Sequence, residues 1–321
     1  MTKKERVVAA IEGREPDKVP SGFSLHFPTE AAFGDVAVDA HIRFFEESDT
    51  DILKIMNENL VPYMGEIHHG PDYHMVREMS LEDPFMQDQI ALVKKILERC
   101  EKDAFILGTL HGVTASSIHP LEKMEPGYTY DSIREKLCRL LHEDEATVLA
   151  GMKRIADVMC QLAKEYIRLG VDGVYYAALG GEKRFFTDEE FERYIKPLDL
   201  QIMKSIKDAG GYCFLHICKD GLNMERYKGY DVYTDVVNWG VYEAPYSLEE
   251  GKKLFPGKTI MGGLPNRHGV LVDGPGEAVR EEVHKVIREF GRTGFILGAD
   301  CTLATEQDMA LLKAAVQAAR D

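Results

Sequence analysis

Nowhere does the sequence contain an apolar run approaching the ~18 residues that a bilayer-crossing helix requires. The charges at Lys3, Lys4, Glu5 and Arg6 have no apolar segment behind them, which excludes the pattern of a secretory leader. The reading is a soluble, cytoplasmic protein with no membrane partner. Basic runs are missing too: Lys+Arg 39 stand against Asp+Glu 54, a net charge of -15. No surface is therefore expected to neutralise a phosphate backbone, and nucleic acid is excluded as a partner. Cysteine is sparse, with 6 in 321 residues. Thiols this dispersed, in a chain read as cytoplasmic, point to free side chains or metal ligands and not to a disulfide framework. There is no internal repeat, no low-complexity tract, no Pro/Ser-rich linker and no glycine-rich strand-to-helix turn of the dinucleotide-binding type.

What the chain does have is alternation. Short apolar runs at 19–25, 51–56, 105–110, 173–177, 212–216, 232–239, 259–262 and 294–298 read as eight strands. Helical periodicity covers 38–47, 86–101, 131–169, 188–209, 248–254, 277–290 and 305–319. Thr187 with Glu190 forms a capping box before the helix of 188–209, and Pro197 is expected to kink it. Eight strands alternating with helices fit an α/β protein of the (β/α)8 TIM-barrel type better than an open sheet. With hydrophobic content of 45%, residues 1–321 are read as one barrel domain, with a lid-like insertion at 62–84. His68, His69 and His74 in that insertion are read as solvated.

In such a barrel, functional groups gather at the C-terminal ends of the strands. The stretch "FLHICKDG" puts His216 and Cys218 at the end of the fifth predicted strand, and "FILGADCTLATE" puts Cys301 just past the eighth. Imidazole and thiolate are preferred zinc donors, and three protein ligands with an open fourth position make the catalytic type of site. The alternative at this point is a packed histidine beside a buried thiol. Cys100, Cys138, Cys160 and Cys213 sit in periodic apolar patterns and are read as core. His26, Asn57, Glu58 and His111, also at strand ends, are candidate substrate-binding residues lining the cavity. Asn238 and Glu243 lie near the end of the sixth strand; both are candidates for a labile fourth metal ligand, and Asn238 also for a substrate contact. Arg267 and His268 are candidates for meeting an anionic tail or a partner protein. The acidic helix starts, such as "HEDEAT", need no chemistry beyond the helix dipole.

Three segments together carry a resemblance: "ERVVAAIEGREPDKVP", "ALGGEKRFFTDEEFERYIKPLDLQIMKSIKDAGGYCFLHICKDG" and "GADCTLATEQDMALLKAAVQAARD". The chain resembles the uroporphyrinogen decarboxylase superfamily, and within it the zinc-dependent, methylcobalamin:coenzyme M-like corrinoid methyltransferase branch. That resemblance implies the (β/α)8 fold. It also implies a catalytic Zn²⁺ held by His216, Cys218 and Cys301, and a corrinoid co-substrate supplied as methylcobalamin, free cobalamin or a corrinoid protein. The acceptor would be a small thiol or a folate. The segment "GFSLHFPTE" has no arginine where true uroporphyrinogen decarboxylases carry one to hold the substrate's carboxylates. Decarboxylation needs cationic anchors, whereas methyl transfer to a thiol needs a metal that strips the thiol's proton. The other expectations left open are a uroporphyrinogen-type decarboxylase, a methyltransferase acting on a methoxy or methylamine donor, and a corrinoid- or tetrapyrrole-binding protein without turnover.

Overall fold

In a computed structural model, residues 1–121, 129–244 and 246–321 are described. Seven parallel strands curl into a barrel in sequence order: β1 (Ile52–Ile55), β2 (Phe105–His111), β3 (Gly173–Ala178), β4 (Tyr212–Ile217), β5 (Val236–Trp239), β6 (Thr259–Leu264) and β7 (Phe295–Ala299). Each pairs only with its neighbours in the chain, and helices cross between them on the outside. The strands are apolar on both faces, as a parallel sheet wrapped by helices demands. Among the described residues no helix is long and apolar enough to cross a membrane.

The eighth stave departs from expectation. Residues 19–25 do lie between β7 and β1, but as bridges Ser21↔Leu297 and Leu25↔Leu303 and not as a regular strand. Pro20 has no amide to donate, although its carbonyl accepts from Leu297 N–H at 2.8 Å. On the other side the Asp51 carboxylate takes both the Ser21 N–H (2.9 Å) and its hydroxyl (3.2 Å), replacing a ladder bond, and Arg6 neutralises that carboxylate at 2.5 Å. The closure is tight. A Cβ on Gly298 would stand 3.1 Å from the carbonyl oxygen of Gly22.

Inside the barrel, Ile52, Phe105, Leu107, Phe214, Val236 and Ile296 form a core closed from below by Val7 and Ala10 of the helix Lys3–Ile11. The bottom is therefore plugged, and the cavity opens only at the strands' C-terminal ends. Outside, the stretch read as one helix over 131–169 is two, Tyr130–Glu143 and Glu145–Leu169. Asp144 caps the second by accepting from Thr147 N at 3.1 Å. Thr187 and Glu190 form their capping box, and a wide turn at Phe191–Ile195 precedes Lys196–Asp208, where Pro197 removes a helical donor. The last helix starts at Met309, capped by Asp308, and a short helix, Val113–Ile118, follows β2 where none was expected. β5 starts at Val236, not 232, because Tyr230–Val232 forms a tight turn. Within 62–84, Tyr73 is fully buried with its hydroxyl on the Ser117 carbonyl (2.8 Å), which pins this segment against the helical layer.

The helix Lys196–Asp208 carries a carboxylate into the core. Asp199 is fully buried, accepts from the hydroxyls of Tyr176 and Tyr230 (the latter at 2.9 Å), and faces no ion-pair partner among the described residues. Burial pushes its carboxyl up to about 7. The folded protein therefore keeps a proton there that the unfolded chain releases above its ordinary carboxylate range. Stability should fall as pH rises toward 7, by at most about 1.4 kcal/mol per pH unit, and this contribution should flatten above 7. Denaturant unfolding of the wild type and Asp199→Asn from pH 5 to 8 should show the variant gaining on the wild type over that window. Parallel pH profiles would remove Asp199 as the cause.

Candidate functional site

Strand register builds the site. His111, Ala177, His216 and Asn238 are successive partners across β2, β3, β4 and β5, and so stand at one level near the top of the barrel. Cys218 follows β4, its N–H donating to the Ala178 carbonyl at 3.0 Å; Cys301 follows β7. Cys301 Sγ lies 3.3 Å from His216 Nε2 and 3.9 Å from Cys218 Sγ. One ligand atom from each of the three residues falls within 4.8 Å of the others. The sulfurs are too far apart for a disulfide.

The histidine's tautomer follows from its partner. Asn238 Nδ2 lies 3.0 Å from each of two carbonyls, those of Met261 and Ala299, so it is the donor end of the amide. Its Oδ1 then accepts from His216 Nδ1–H at 2.6 Å and from the Tyr175 hydroxyl at 2.9 Å. Nε2 is left with its lone pair toward Cys301. The Tyr175 ring stacks on the imidazole, with centroids 5.1 Å apart and planes at 23°. Of the two thiols, Cys301 is held well below its ordinary range, chiefly by the hydrogen bond from Cys218, with the Lys54 ammonium adding to it, and Cys218 is pushed up correspondingly.

This donor set fits a zinc ion. A tetrahedral ion with bonds of about 2.3 Å to sulfur and 2.0 Å to nitrogen sets sulfur–sulfur at ~3.8 Å and sulfur–nitrogen at ~3.5 Å. The observed 3.9 Å and 3.3 Å are within a few tenths of an ångström of that. The second partner on His216 Nδ1 is the arrangement that metal-binding histidines use.

The three residues sit on the wall of a cavity of about 330 Å³, lined also by His26, Lys54, Glu58, His111, His119, Lys219 and Arg267. His26 Nδ1 and Glu58 Oε1 are 2.9 Å apart, and that bond holds the Glu58 carboxyl below its usual range. Burial brings His111 down to about 4 and His119 well below the ordinary imidazole value, so both are uncharged at neutral pH.

Three candidates are placed elsewhere. Asn57 is buried off the cavity, its Oδ1 taking Asn59 N–H at 3.1 Å. Asn238 has every hydrogen-bonding position used inside the protein, so it holds His216 and has nothing left for a substrate. Glu243 is exposed on the turn after β5 and stands outside the His216, Cys218, Cys301 group, because that turn folds its side chain back over Gly240. His268 is exposed and meets Tyr242 edge-on; Arg267 lines the mouth. None of residues 62–84 lines the cavity. Cys100, Cys138, Cys160 and Cys213 are buried free thiols. Lys54, Tyr175, His119 and Lys219 were not singled out from the sequence. Lys54 had a signal, being a charge inside an apolar strand, "ILKI".

The chain belongs to the uroporphyrinogen decarboxylase (URO-D) family, whose model matches residues 66–321. Among solved structures, a methyltransferase from Methanosarcina mazei is similar with a TM-score of 0.76 at 15% identity, covering 99% of this chain and 98% of that one. A B12-independent methionine synthase from Shewanella sp. has a TM-score of 0.58 at 11% identity, covering 94% and 97%. A putative vitamin-B12 independent methionine synthase from Listeria monocytogenes has a TM-score of 0.56 at 14% identity, covering 96% of each chain. At such identities the likeness is one of fold. No curated protein sequence matches the chain.

Replacing Asn238 by Leu keeps the branched shape but removes the acceptor of the Tyr175 hydroxyl and of His216 Nδ1–H, and the donor to the carbonyls of Met261 and Ala299, in the barrel wall. The expected cost is about 2–4 kcal/mol in denaturant unfolding of the metal-free protein. A loss below about 0.5 kcal/mol, the usual range for a surface change, would contradict the network.

Proposed function

We propose that this protein is a zinc-dependent methyltransferase that moves a methyl group between a corrinoid and a small thiol or other small acceptor. The observation that carries the reading is the convergence of His216, Cys218 and Cys301 from the ends of β4 and β7, with their ligand atoms within 4.8 Å. When bound there, zinc supplies a Lewis acid that takes up a thiol's sulfur and lowers its pKa, so that the sulfur reacts as a thiolate.

The chain's own residues prepare that chemistry. Asn238 fixes His216 in the tautomer that offers Nε2, and Tyr175 stacks against the ring. Cys218 and Cys301 bring two negative charges that offset a divalent ion, leaving a further sulfur ligand electron-rich. The cavity, at about 330 Å³, is at the small end for ligand sites. It suits a compact acceptor, and a corrinoid would have to present its methyl group from the mouth, either free or carried by a partner protein. A structural neighbour named a methyltransferase supports methyl transfer on this fold. The neighbours named as B12-independent methionine synthases favour a second reading, in which the methyl donor is not a corrinoid, and tetrahydrofolate derivatives belong in the assay for that reason.

Decarboxylation of uroporphyrinogen is disfavoured. One arginine, Arg267, lines the cavity, and the segment 21–30 has none. Carboxylate clamps made of charge-assisted hydrogen bonds are worth roughly 1.5–3 kcal/mol each, so their loss costs orders of magnitude in binding.

The protein is expected to hold about one zinc per chain. Cys218→Ser and Cys301→Ser should each lose most of that metal while unfolding at nearly the denaturant midpoint of the metal-free wild type, because the core below the site does not depend on it. A fully loaded Cys301→Ser protein would count against the ligand set. Zinc-loaded protein mixed with methylcobalamin and a panel of thiols should convert the corrinoid's methyl-Co(III) spectrum to Co(I), and metal removal should abolish the change. Transfer from a methyl-folate without any corrinoid would establish the second reading instead. Coproporphyrinogen formed from uroporphyrinogen at a useful rate would overturn both.

A further inference from the structure

Lys54 is a charge that the chemistry above leaves without a task. It stands on β1 between Leu53 and Ile55, yet its side chain enters the barrel, where Nζ donates to Ser24 Oγ at 3.1 Å. The same ammonium lies 3.6 Å from the centroid of the Tyr175 ring, the ring that stacks on His216. Among the described residues no carboxylate lies within ion-pair distance of it. Lys54, Ser24, Tyr175 and Cys301 together line a hollow of about 10 Å³ under the main cavity, room for about one water.

A hydroxyl and a π face are weak compensation for an ammonium withdrawn from bulk water. Burial pulls Lys54 down to about 8, and negative charge at Cys301, Cys218 and Glu58 opposes that fall. An amine at that value is mostly charged at neutral pH, so the floor beneath the Cys/His group carries one positive charge. A count of charges then gives this cation a use. A divalent ion with two thiolates is neutral, and Lys54 beneath them adds one positive charge; Glu58, the carboxylate in the cavity lining, is hydrogen-bonded to His26 at 2.9 Å, and Lys219 and Arg267 line the cavity as well. A neutral fourth ligand, water or an undissociated thiol, leaves that charge uncompensated. A thiolate cancels it.

We propose that Lys54 is the charge-selecting residue of this centre: held by Ser24 and Tyr175, its ammonium makes the fourth ligand position prefer an anionic sulfur over water or a neutral thiol. In the step it favours, the thiol's S–H bond breaks, the sulfur keeps the electron pair and binds the metal, and the proton leaves to solvent. The inference rests on the metal reading above and adds to it a residue outside the ligand set.

Cobalt(II) in place of zinc gives a readout that needs no methyl transfer, since thiolate ligation produces its own absorption bands. The probe is 2-mercaptoethanol, whose uncharged tail excludes simple anchoring of a remote anion by the lysine. Cobalt-loaded wild type, Lys54→Met and Lys54→Arg are titrated with it from pH 6 to 10. The pH midpoint for thiolate binding should move up by on the order of one unit in Lys54→Met, with about tenfold weaker binding at pH 7, and Lys54→Arg should stay near the wild type. Unaltered cobalt bands before thiol addition show that each variant has kept the site. Full cobalt loading with the same midpoint in Lys54→Met and wild type overturns the role of Lys54 and leaves the metal reading standing. Failure of the wild type to bind cobalt overturns both.

Discussion

Asn238 is the residue on which the site's geometry depends. It is buried in the barrel wall, where an amide left unpaired costs as much as a lost hydrogen bond, so its orientation is determined by where its four bonds can be made. Two go to main-chain carbonyls at Met261 and Ala299, on β6 and β7, and these force the oxygen toward β3 and β4. There it takes His216 Nδ1–H and the Tyr175 hydroxyl. One side chain on β5 thus ties four other strands together and fixes which imidazole nitrogen faces the thiols. Tyr175, held by the same oxygen, carries the stacked imidazole and the Lys54 ammonium. The orientation of the imidazole and the ring against which Lys54 sits are therefore both held by one amide.

The two cysteines are outside this network, on loops, and are held differently. Beyond Cys218 the chain turns through Lys219, a non-glycine residue at φ 82, a conformation L side chains rarely adopt. The surroundings impose it. Lys183 N–H meets the Gly221 carbonyl at 3.1 Å and Asn223 N–H meets the Gly181 carbonyl at 2.8 Å, bridging the loops after β3 and β4. Arg226, buried, donates to the carbonyls of Gly180, Glu182 and Phe186, and Arg134 pairs with the buried Glu182 carboxylate. Strain concentrated at a residue next to a functional group is a recurrent way of holding that group before its ligand arrives. On the other side Asp300 N–H meets the Leu264 carbonyl at 2.9 Å and Leu303 N–H meets that of Ser24 at 2.7 Å, so Cys301 too is braced on both flanks.

Much of this was legible in the sequence for a physical reason. Parallel strands covered on both faces read as short apolar runs, and seven of the eight expected ones are regular strands. The eighth, 19–25, was the right segment in the right place. Its backbone still bonds to both neighbours, but the Ser21 N–H goes to the Asp51 carboxylate, 30 residues away, and periodicity cannot report a long-range side-chain bond. The same limit explains Asn238 and Glu243. Both lie near the end of β5, so position alone made them equal candidates; alternation along the strand turned one inward and the turn carried the other out. His119 and Lys219 belong to an unexpected helical segment and a strained turn, neither of which has a periodic signature.

Family membership and reaction separate at the top of the barrel. A (β/α)8 scaffold leaves its strand-end loops free to carry different chemistry, so a shared fold argues for where the site is, not for what it does. In this protein His111 and His119 of the cavity wall are kept uncharged by burial, and Glu58 is hydrogen-bonded to His26 at 2.9 Å. The cations left over are Lys54 on the floor and Lys219 and Arg267 at the mouth. A polycarboxylate macrocycle would need many positive groups spread over a wide surface, whereas one sulfur anion needs one positive field at one point. The proposed methyl transfer to a thiol calls for the second requirement, and Lys54, set against the Tyr175 ring beside Cys301, is the group that would supply it.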